Sequence, residues 1–430
     1  MRRNDITMAK RFAAVMGAAL IVVLAAACNA GGGGKIIRIG IELPQSGNEV
    51  ANGGPTKNGV LLAIKQANAA NKVAGFTFAD NNQDDAVNGV HDPTKGADNM
   101  RILVADTTVL GVVGPFNSGV ARAEIPVSNE SGLAQCSPAN TGTDLTQAGS
   151  DVYRFNKQAK RNYFRVAAPD NIQGPAGADY TYTDLGKHSV FIMDDTEPFG
   201  VGVADAFEAR FKELGGTVVG TRASVPKSTT DYTPFFTAAA ALNPEAVYFG
   251  GTQVTGGGLA RKQMVAAGMG AIPFVGPDGI ADLGAGGNTG AFITLAGVEN
   301  SNDVHGTVAG LHDLPASSTF NTDYQAEYNT APGAYSALGY SCAQAIIQAV
   351  AATATAANGD FTKWRGLVRD YIFDTAAHHT YDTVMGTISF NACGDIEQPV
   401  MSFYKVDQTA NDGKGGWVYI KQQAFQPGGC

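Results

Sequence analysis

Val109-Leu-Gly-Val-Val-Gly-Pro-Phe-Asn-Ser118 and, fifteen residues on, Leu133-Ala-Gln-Cys-Ser-Pro-Ala-Asn-Thr141 set the reading of this chain. Each is an apolar run, then a short loop with Pro and Asn, then a stretch that can be helical. A strand feeding a helix reads this way. In an open parallel sheet such loops lie at the carboxyl edge, where ligands bind. Ser118 and Thr141 each bring a hydroxyl beside backbone N–H groups at an expected helix start, which suits a small anion such as a carboxylate. Either hydroxyl alone is better explained as a helix cap. Two neighbouring strand ends with the same ending favour a site.

Outward from these loops the same alternation continues. Ile36 to Leu43 reads as a buried strand, Pro44 to Pro55 as a polar loop, and Val60, Ile64 and Ala67 as one helical stripe. Phe76 to Ala79 reads as a short strand before a polar excursion from Asp80 to Gly96. Gln147 to Arg165 breaks the rhythm and is expected to cross between lobes. A second series follows: strand Ser189 to Met193, a helix marked by Val203, Phe207, Phe211 and Leu214, strand Ala246 to Phe249, and strand Ile272 to Val275. Leu338, Cys342, Ile346 and Val350 recur every four residues, the spacing of a long core-facing helix. Thr387 to Phe390 and Val400 to Val406 are expected to pair as a hairpin. The fold class is therefore α/β, with right-handed βαβ units and two largely parallel sheets. A chain of 430 residues is too long for one ordinary core, so two lobes are expected.

The N-terminus is read as a leader. Arg2, Arg3, Lys10 and Arg11 precede an apolar run from Phe12 to Ala27, then Cys28. That is the layout of a secretory signal over residues 1–27. Cys28 directly after it resembles a bacterial lipoprotein processing box, with Ala25 where Leu is usual, so Cys28 is the expected lipidation site. Residues 28–35 read as a flexible tether. The expected lobes are residues 36–165 with 312–384, and 166–311 with 385–430. Without residues 1–27 the chain keeps 26 basic and 38 acidic residues, a net of −12. This balance argues against nucleic acid as a partner, and no polybasic run points to a membrane surface. Besides Cys28, four cysteines permit three pairings. Cys136 and Cys342 lie in apolar segments and read as buried thiols. Cys393 and Cys430 fit a bridge in an oxidising compartment.

Catalytic or metal chemistry finds little support. The six histidines form no H-E-x-x-H pair. Ser224-Val-Pro-Lys227 matches S-x-x-K but lacks its partner motifs and carries a helix-breaking Pro. Gly31-Gly-Gly-Gly-Lys35 is followed by Ile36, so it is no P-loop, and Gly250 to Gly258 is a weak dinucleotide match. No catalytic residue, metal or cofactor is assigned.

Six segments in order carry a resemblance: Ile39-Gly-Ile-Glu-Leu-Pro-Gln-Ser-Gly47, Val112 to Ser118, Ser137 to Thr141, Asp194-Asp-Thr-Glu-Pro-Phe-Gly200, Tyr248-Phe-Gly-Gly251 and Val275-Gly-Pro-Asp-Gly279. From Ile36 to about Val406 the chain resembles the leucine/isoleucine/valine-binding proteins of ABC importers, of the type I periplasmic-binding-protein fold. The resemblance implies two lobes joined by three hinge strands that close on an amino acid. It places Ser118 at the ligand's α-carboxylate, Ala139, Asn140 and Thr141 at the α-carboxylate and α-ammonium, and Asp278 opposite the ammonium. Phe199 and Thr252 stand where the family has Tyr, and Asn52 where a Trp commonly covers the side chain; these departures keep the zwitterion clamp but enlarge or polarise the side-chain pocket, which suits a larger or more polar amino acid than leucine. The partners implied are a small amino-acid-like solute and a membrane permease, the chain itself a monomer outside the cytoplasm. A sensing subunit that presents the same fold to a receptor is the alternative, followed by an exported enzyme.

Overall fold

The computed structural model describes residues 35–156, 159–283 and 291–430. The proposed signal, Cys28 and most of the tether lie outside these residues; Lys35 opens the first strand.

Five parallel strands make the first sheet, in the order Phe76–Asp84, Lys35–Leu43, Val109–Val113, Ala134–Ser137, Tyr163–Arg165. Val109–Val113 is buried throughout, as a strand covered on both faces must be. The outermost strand, Phe76–Asp84, runs further than its apolar residues suggest. It is an edge strand, so Asn81, Asn82 and Gln83 extend the ladder while their side chains reach solvent. The helix Val50–Ala69 begins inside the expected Pro44–Pro55 loop and buries Val60, Ile64 and Ala67. Pro93–Ala105 starts where Asp92 accepts the Lys95 N–H at 2.8 Å and Pro93 takes the first helical position.

The second sheet runs parallel through Ala223–Ser224, Ser189–Asp194, Ala246–Gly250, Phe274–Gly276 and Val304–Val308, then antiparallel through Val400–Asp407 and Gly416–Ala424. The Pro198–Glu213 helix covers it with Val203, Phe207 and Phe211, all fully buried. The chain passes between the sheets after Arg165, after Val308 and before Val400.

Two expectations about the tail need correction. Val400–Asp407 pairs with Gly416–Ala424, not with the Thr387 segment. Thr380–Thr383 pairs instead with Gly386–Ser389, so a lobe boundary at 385 would cut a hairpin in its turn. Tyr381, Met385 and Ile388 pack that whole hairpin into the first lobe's core, beside the Ser336–Ala357 helix.

The cysteines give a third correction. Cys136 and Cys342 are not thiols but a disulfide with a Cα–Cα distance of 5.6 Å. Both residues face the core, which is also what a buried thiol does, so apolar neighbours could not tell the two states apart. The bond ties the Ala134–Ser137 strand to the long helix across 206 residues of sequence. Cys393 and Cys430 are joined as expected. Closing so long a loop restricts the unfolded chain. The Cys136→Ala/Cys342→Ala double variant is therefore expected to lose about 2–4 kcal/mol in urea unfolding. An unchanged midpoint at equal slope would rule this out.

Candidate functional site

The loop after Val109–Val113 turns at Gly114, whose φ is +133°; a Cβ there would lie 1.9 Å from the Glu42 carbonyl oxygen. Only glycine fits this approach, and it delivers Ser118 as the first residue of the Ser118–Glu130 helix. The Ser118 hydroxyl does not cap its own helix. It accepts the Gly142 N–H at 3.2 Å, joining the two loops that opened the sequence reading. Ser137 reinforces the junction. Its hydroxyl donates to the Pro115 carbonyl at 2.7 Å and accepts the Ala139 and Asn140 N–H groups at 3.2 and 2.8 Å.

The second loop departs from expectation. Thr141 leads into a single 3-10 turn, Thr143–Leu145, not an α-helix. Gly142, Thr143, Thr146 and Gly149 are weak helix formers, and the Arg165 guanidinium holds the loop open instead. Arg165 donates to the Gly142 carbonyl at 2.8 Å and to Thr146 Oγ1 at 2.6 Å, and pairs with Asp395 at 2.7 Å. Thr141 Oγ1 is buried with no partner.

From the second lobe, Asp278 follows the Phe274–Gly276 strand. Gly279 fixes the turn, since a Cβ there would lie 2.4 Å from the Gly251 carbonyl oxygen. Asp278 is buried, and burial pushes its carboxyl up to about 6 against the hydrogen bonds that favour the charge. One of these comes from Tyr335 in the first lobe, whose hydroxyl donates to Asp278 Oδ2 at 2.8 Å. Asp195 accepts from Thr255 Oγ1 at 2.6 Å and from the Glu197 N–H at 2.9 Å; burial raises it to about 7. Asp170, buried at the start of the Asp170–Asp179 helix, is raised to about 8 by burial, with the Asp278 charge adding to it.

Ser118, Ala139, Thr141, Phe199, Thr252 and Asp278 meet around one cavity between the lobes. Two expected residues do not line it. Asn140 turns away, accepting the Tyr163 hydroxyl at 2.7 Å. Asn52 sits buried in the Val50–Ala69 helix, whose start packs so closely on Pro44 that a Cβ at Gly53 would lie 1.7 Å from its carbonyl oxygen. The aromatic wall comes from Phe116 and Tyr335, edge to face at 4.7 Å, with Phe199 opposite. Sequence reading missed Phe116, Tyr335, His91, Asp195 and Thr255 as lining residues. Phe116 and Asp195 lay within quoted motifs; Tyr335 follows a Gly/Pro loop far along the chain and carried no signal.

Tyr335 bonds to Asp278 across the cleft, so it biases the lobes toward closure. A hydrogen bond to a charged group contributes about 1.5–3 kcal/mol. Tyr335→Phe is expected to open the ligand-free protein at pH 8, seen as a larger radius of gyration in solution scattering. An unchanged radius would remove Tyr335 from this role.

The chain is similar to several known proteins. Leu/Ile/Val-binding protein homolog 1 of Brucella suis is 27% identical over 389 residues, covering 90% of this chain and 94% of the relative. The Leu/Ile/Val-binding protein BraC3 of Rhizobium johnstonii is 32% identical over 229 residues, 53% of this chain and 57% of that one. Among solved structures, a leucine-binding protein from Thermotoga maritima superposes with a TM-score of 0.73 at 22% identity, covering 90% of this chain and 98% of that one. A solute-binding protein from Rhodopseudomonas palustris, solved with 3,4-dihydroxybenzoic acid, gives 0.67 at 19% identity, covering 90% and 97%. The fold is that of type I periplasmic binding proteins. With the periplasmic binding protein model matching residues 36–414, the chain belongs to that family.

Proposed function

We propose that this chain is the extracytoplasmic solute-binding component of an ABC importer, and that it captures an amino acid by closing its lobes. One observation carries the reading: the Ser118 and Thr141 hydroxyls of the first lobe line a single cavity with the buried Asp278 carboxylate of the second. A zwitterion needs that polarity, donors for its carboxylate and a counter-charge for its ammonium. Ser118, Thr141 and the Ala139 backbone take the carboxylate; Asp278 takes the ammonium. Phe116, Phe199 and Tyr335 offer the side chain an apolar wall, softened by Thr252. Closure is favoured only as far as the solute binds the closed state more tightly.

An aromatic acid such as the one named for the Rhodopseudomonas structure is the second reading, favoured by that aromatic wall. An acid without an ammonium leaves Asp278 buried and uncompensated, which weighs against it. Delivery is to a membrane permease, with Cys28 lipidated as the anchor and no catalytic step. A thermal-shift screen of amino acids, small amides and benzoates separates the readings. A cognate solute at about 100 times its Kd adds roughly 2.7 kcal/mol of stability. Stabilisation by benzoates with none by any amino acid overturns the zwitterion proposal.

A further inference from the structure

Three polar residues that line the solute cavity take no part in holding the ammonium and carboxylate: His91, Asn117 and Glu197. A hairpin sets His91 in place. Ala86–Val87 and Val90–His91 pair antiparallel, and the turn between them meets the Gly47–Glu49 turn of the first lobe. Asn48 donates its N–H to the Gly89 carbonyl at 3.1 Å. A Cβ at Gly47, where φ is +61°, would lie 2.1 Å from the Gly89 Cα. This close approach brings buried Glu49 against buried His91, with Nδ1 2.7 Å from Glu49 Oε1. The carboxylate takes the Nδ1 hydrogen and fixes the ring, which leaves Nε2 for the cleft.

Among the described residues, His91 Nε2 has no hydrogen-bond partner. Glu197 Oε2, from the second lobe, stands 4.0 Å away, too far for a direct hydrogen bond. The other Glu197 oxygen, Oε1, is held by Lys227 Nζ at 3.0 Å. Independently of this pair, Asn117 Oδ1 is buried with no partner. Asp195 lines the cavity too, but each of its oxygens already has a donor.

A polar gap of 4.0 Å between the lobes is a place for a bridging group. A buried acceptor such as Asn117 Oδ1 is costly until a donor reaches it. Glu197 Oε2 and Asn117 Oδ1 can only accept, whereas His91 Nε2 accepts when the ring is neutral and donates when it is charged. A carboxamide or a hydroxyl meets these demands, because each both donates and accepts. An aliphatic side chain leaves them unmet. A carboxylate would face Glu49 and Glu197, and an added cation finds Glu49 already paired with His91 and Glu197 with Lys227. We propose, resting on the amino-acid reading above, that the solute's side chain ends in a carboxamide or a hydroxyl held between His91 of the first lobe and Glu197 of the second, with Asn117 Oδ1 as a further acceptor.

The full chain is titrated by calorimetry with glutamine, asparagine, serine and threonine, and with leucine, valine, glutamate and lysine. The best of the polar uncharged solutes is expected to bind about tenfold more tightly, or better, than any of the others. The amide and hydroxyl pairs tell the two end groups apart. Glu197→Ala, at a partly exposed position, is expected to weaken that solute about tenfold while leucine's weaker binding stays unchanged. His91→Leu/Glu49→Met strands no charge and is expected to turn the preference toward leucine; if it does not fold, Glu197→Ala decides. An equal loss for both solutes in Glu197→Ala marks a structural role and overturns the proposal. Leucine, valine, glutamate or lysine binding as tightly as the best polar uncharged solute also overturns it, yet leaves the amino-acid reading standing. No binding of any amino acid overturns both.

Discussion

Asp278→Asn is expected to weaken amino-acid binding by about 2–4 kcal/mol, roughly 30- to 1,000-fold in Kd, while leaving the ligand-free fold intact. Asparagine keeps the shape and, with its Oδ1 turned to the place of the aspartate Oδ2, an acceptor for the Tyr335 hydroxyl. It removes the charge that the proposed ammonium needs in a cavity that excludes most water. The same charge is a burden without solute, because burying a carboxylate is unfavourable. The variant's ligand-free Tm is therefore expected to equal or exceed that of the unaltered chain. Loss of binding with retained or raised stability marks a functional residue, since a structural one would lose both. Calorimetry showing unchanged affinity removes Asp278 from the site.

The acidity of Asp278 adds a second readout. Its carboxyl is raised to about 6 by burial, above its ordinary value of 3.8. A group raised on folding favours the protonated closed form at low pH and disfavours it as the pH climbs through 6. An ammonium requires the ionised form. Affinity should thus be full near pH 8 and fall below pH 6, by up to about tenfold per unit. A flat profile between pH 8 and 5 contradicts the pairing.

The parts of this molecule legible in sequence are those encoded locally. Val109–Val113 and the four-residue spacing of Leu338, Cys342, Ile346 and Val350 appear in the structure as a buried strand and a core helix because periodicity and burial are short-range signals. Family motifs brought Ser118, Ala139, Thr141, Phe199, Thr252 and Asp278 to one cavity. Hidden were the pairings made by topology. Nothing near Cys136 announces Cys342, and nothing near Asp278 announces Tyr335. Glu42, Asp85 and Glu124 look like solvated charges until the fold buries them together. Asn52 misled because a loop was expected where the helix had already begun.

Arg165→Met is expected to destabilise the chain by about 3–5 kcal/mol, because it strands a buried partner. Arg165 and Asp395 are both buried, and their ion pair spans 230 residues of sequence. Burial alone would raise the Asp395 carboxyl, but the Arg165 guanidinium and the Gln147 and Thr146 side chains hold it below its ordinary value. A depressed carboxyl contributes stability above its unfolded pKa and loses it as the pH falls through the folded one. In Arg165→Met the carboxyl has no counter-charge, so its pKa moves above the unfolded value and protonation relieves it. The stability gap between the two proteins should be widest near pH 7 and narrow toward pH 4, as urea unfolding at each pH would show. Asp395→Leu added to Arg165→Met removes the stranded charge and should recover part of the loss. It cannot restore the donors to Gly142 and Thr146. The double variant is therefore expected to regain stability yet bind solute weakly, because the loop that carries Ala139 and Thr141 has lost its support. Recovery of both properties would mean that Arg165 holds the lobe together without shaping the site.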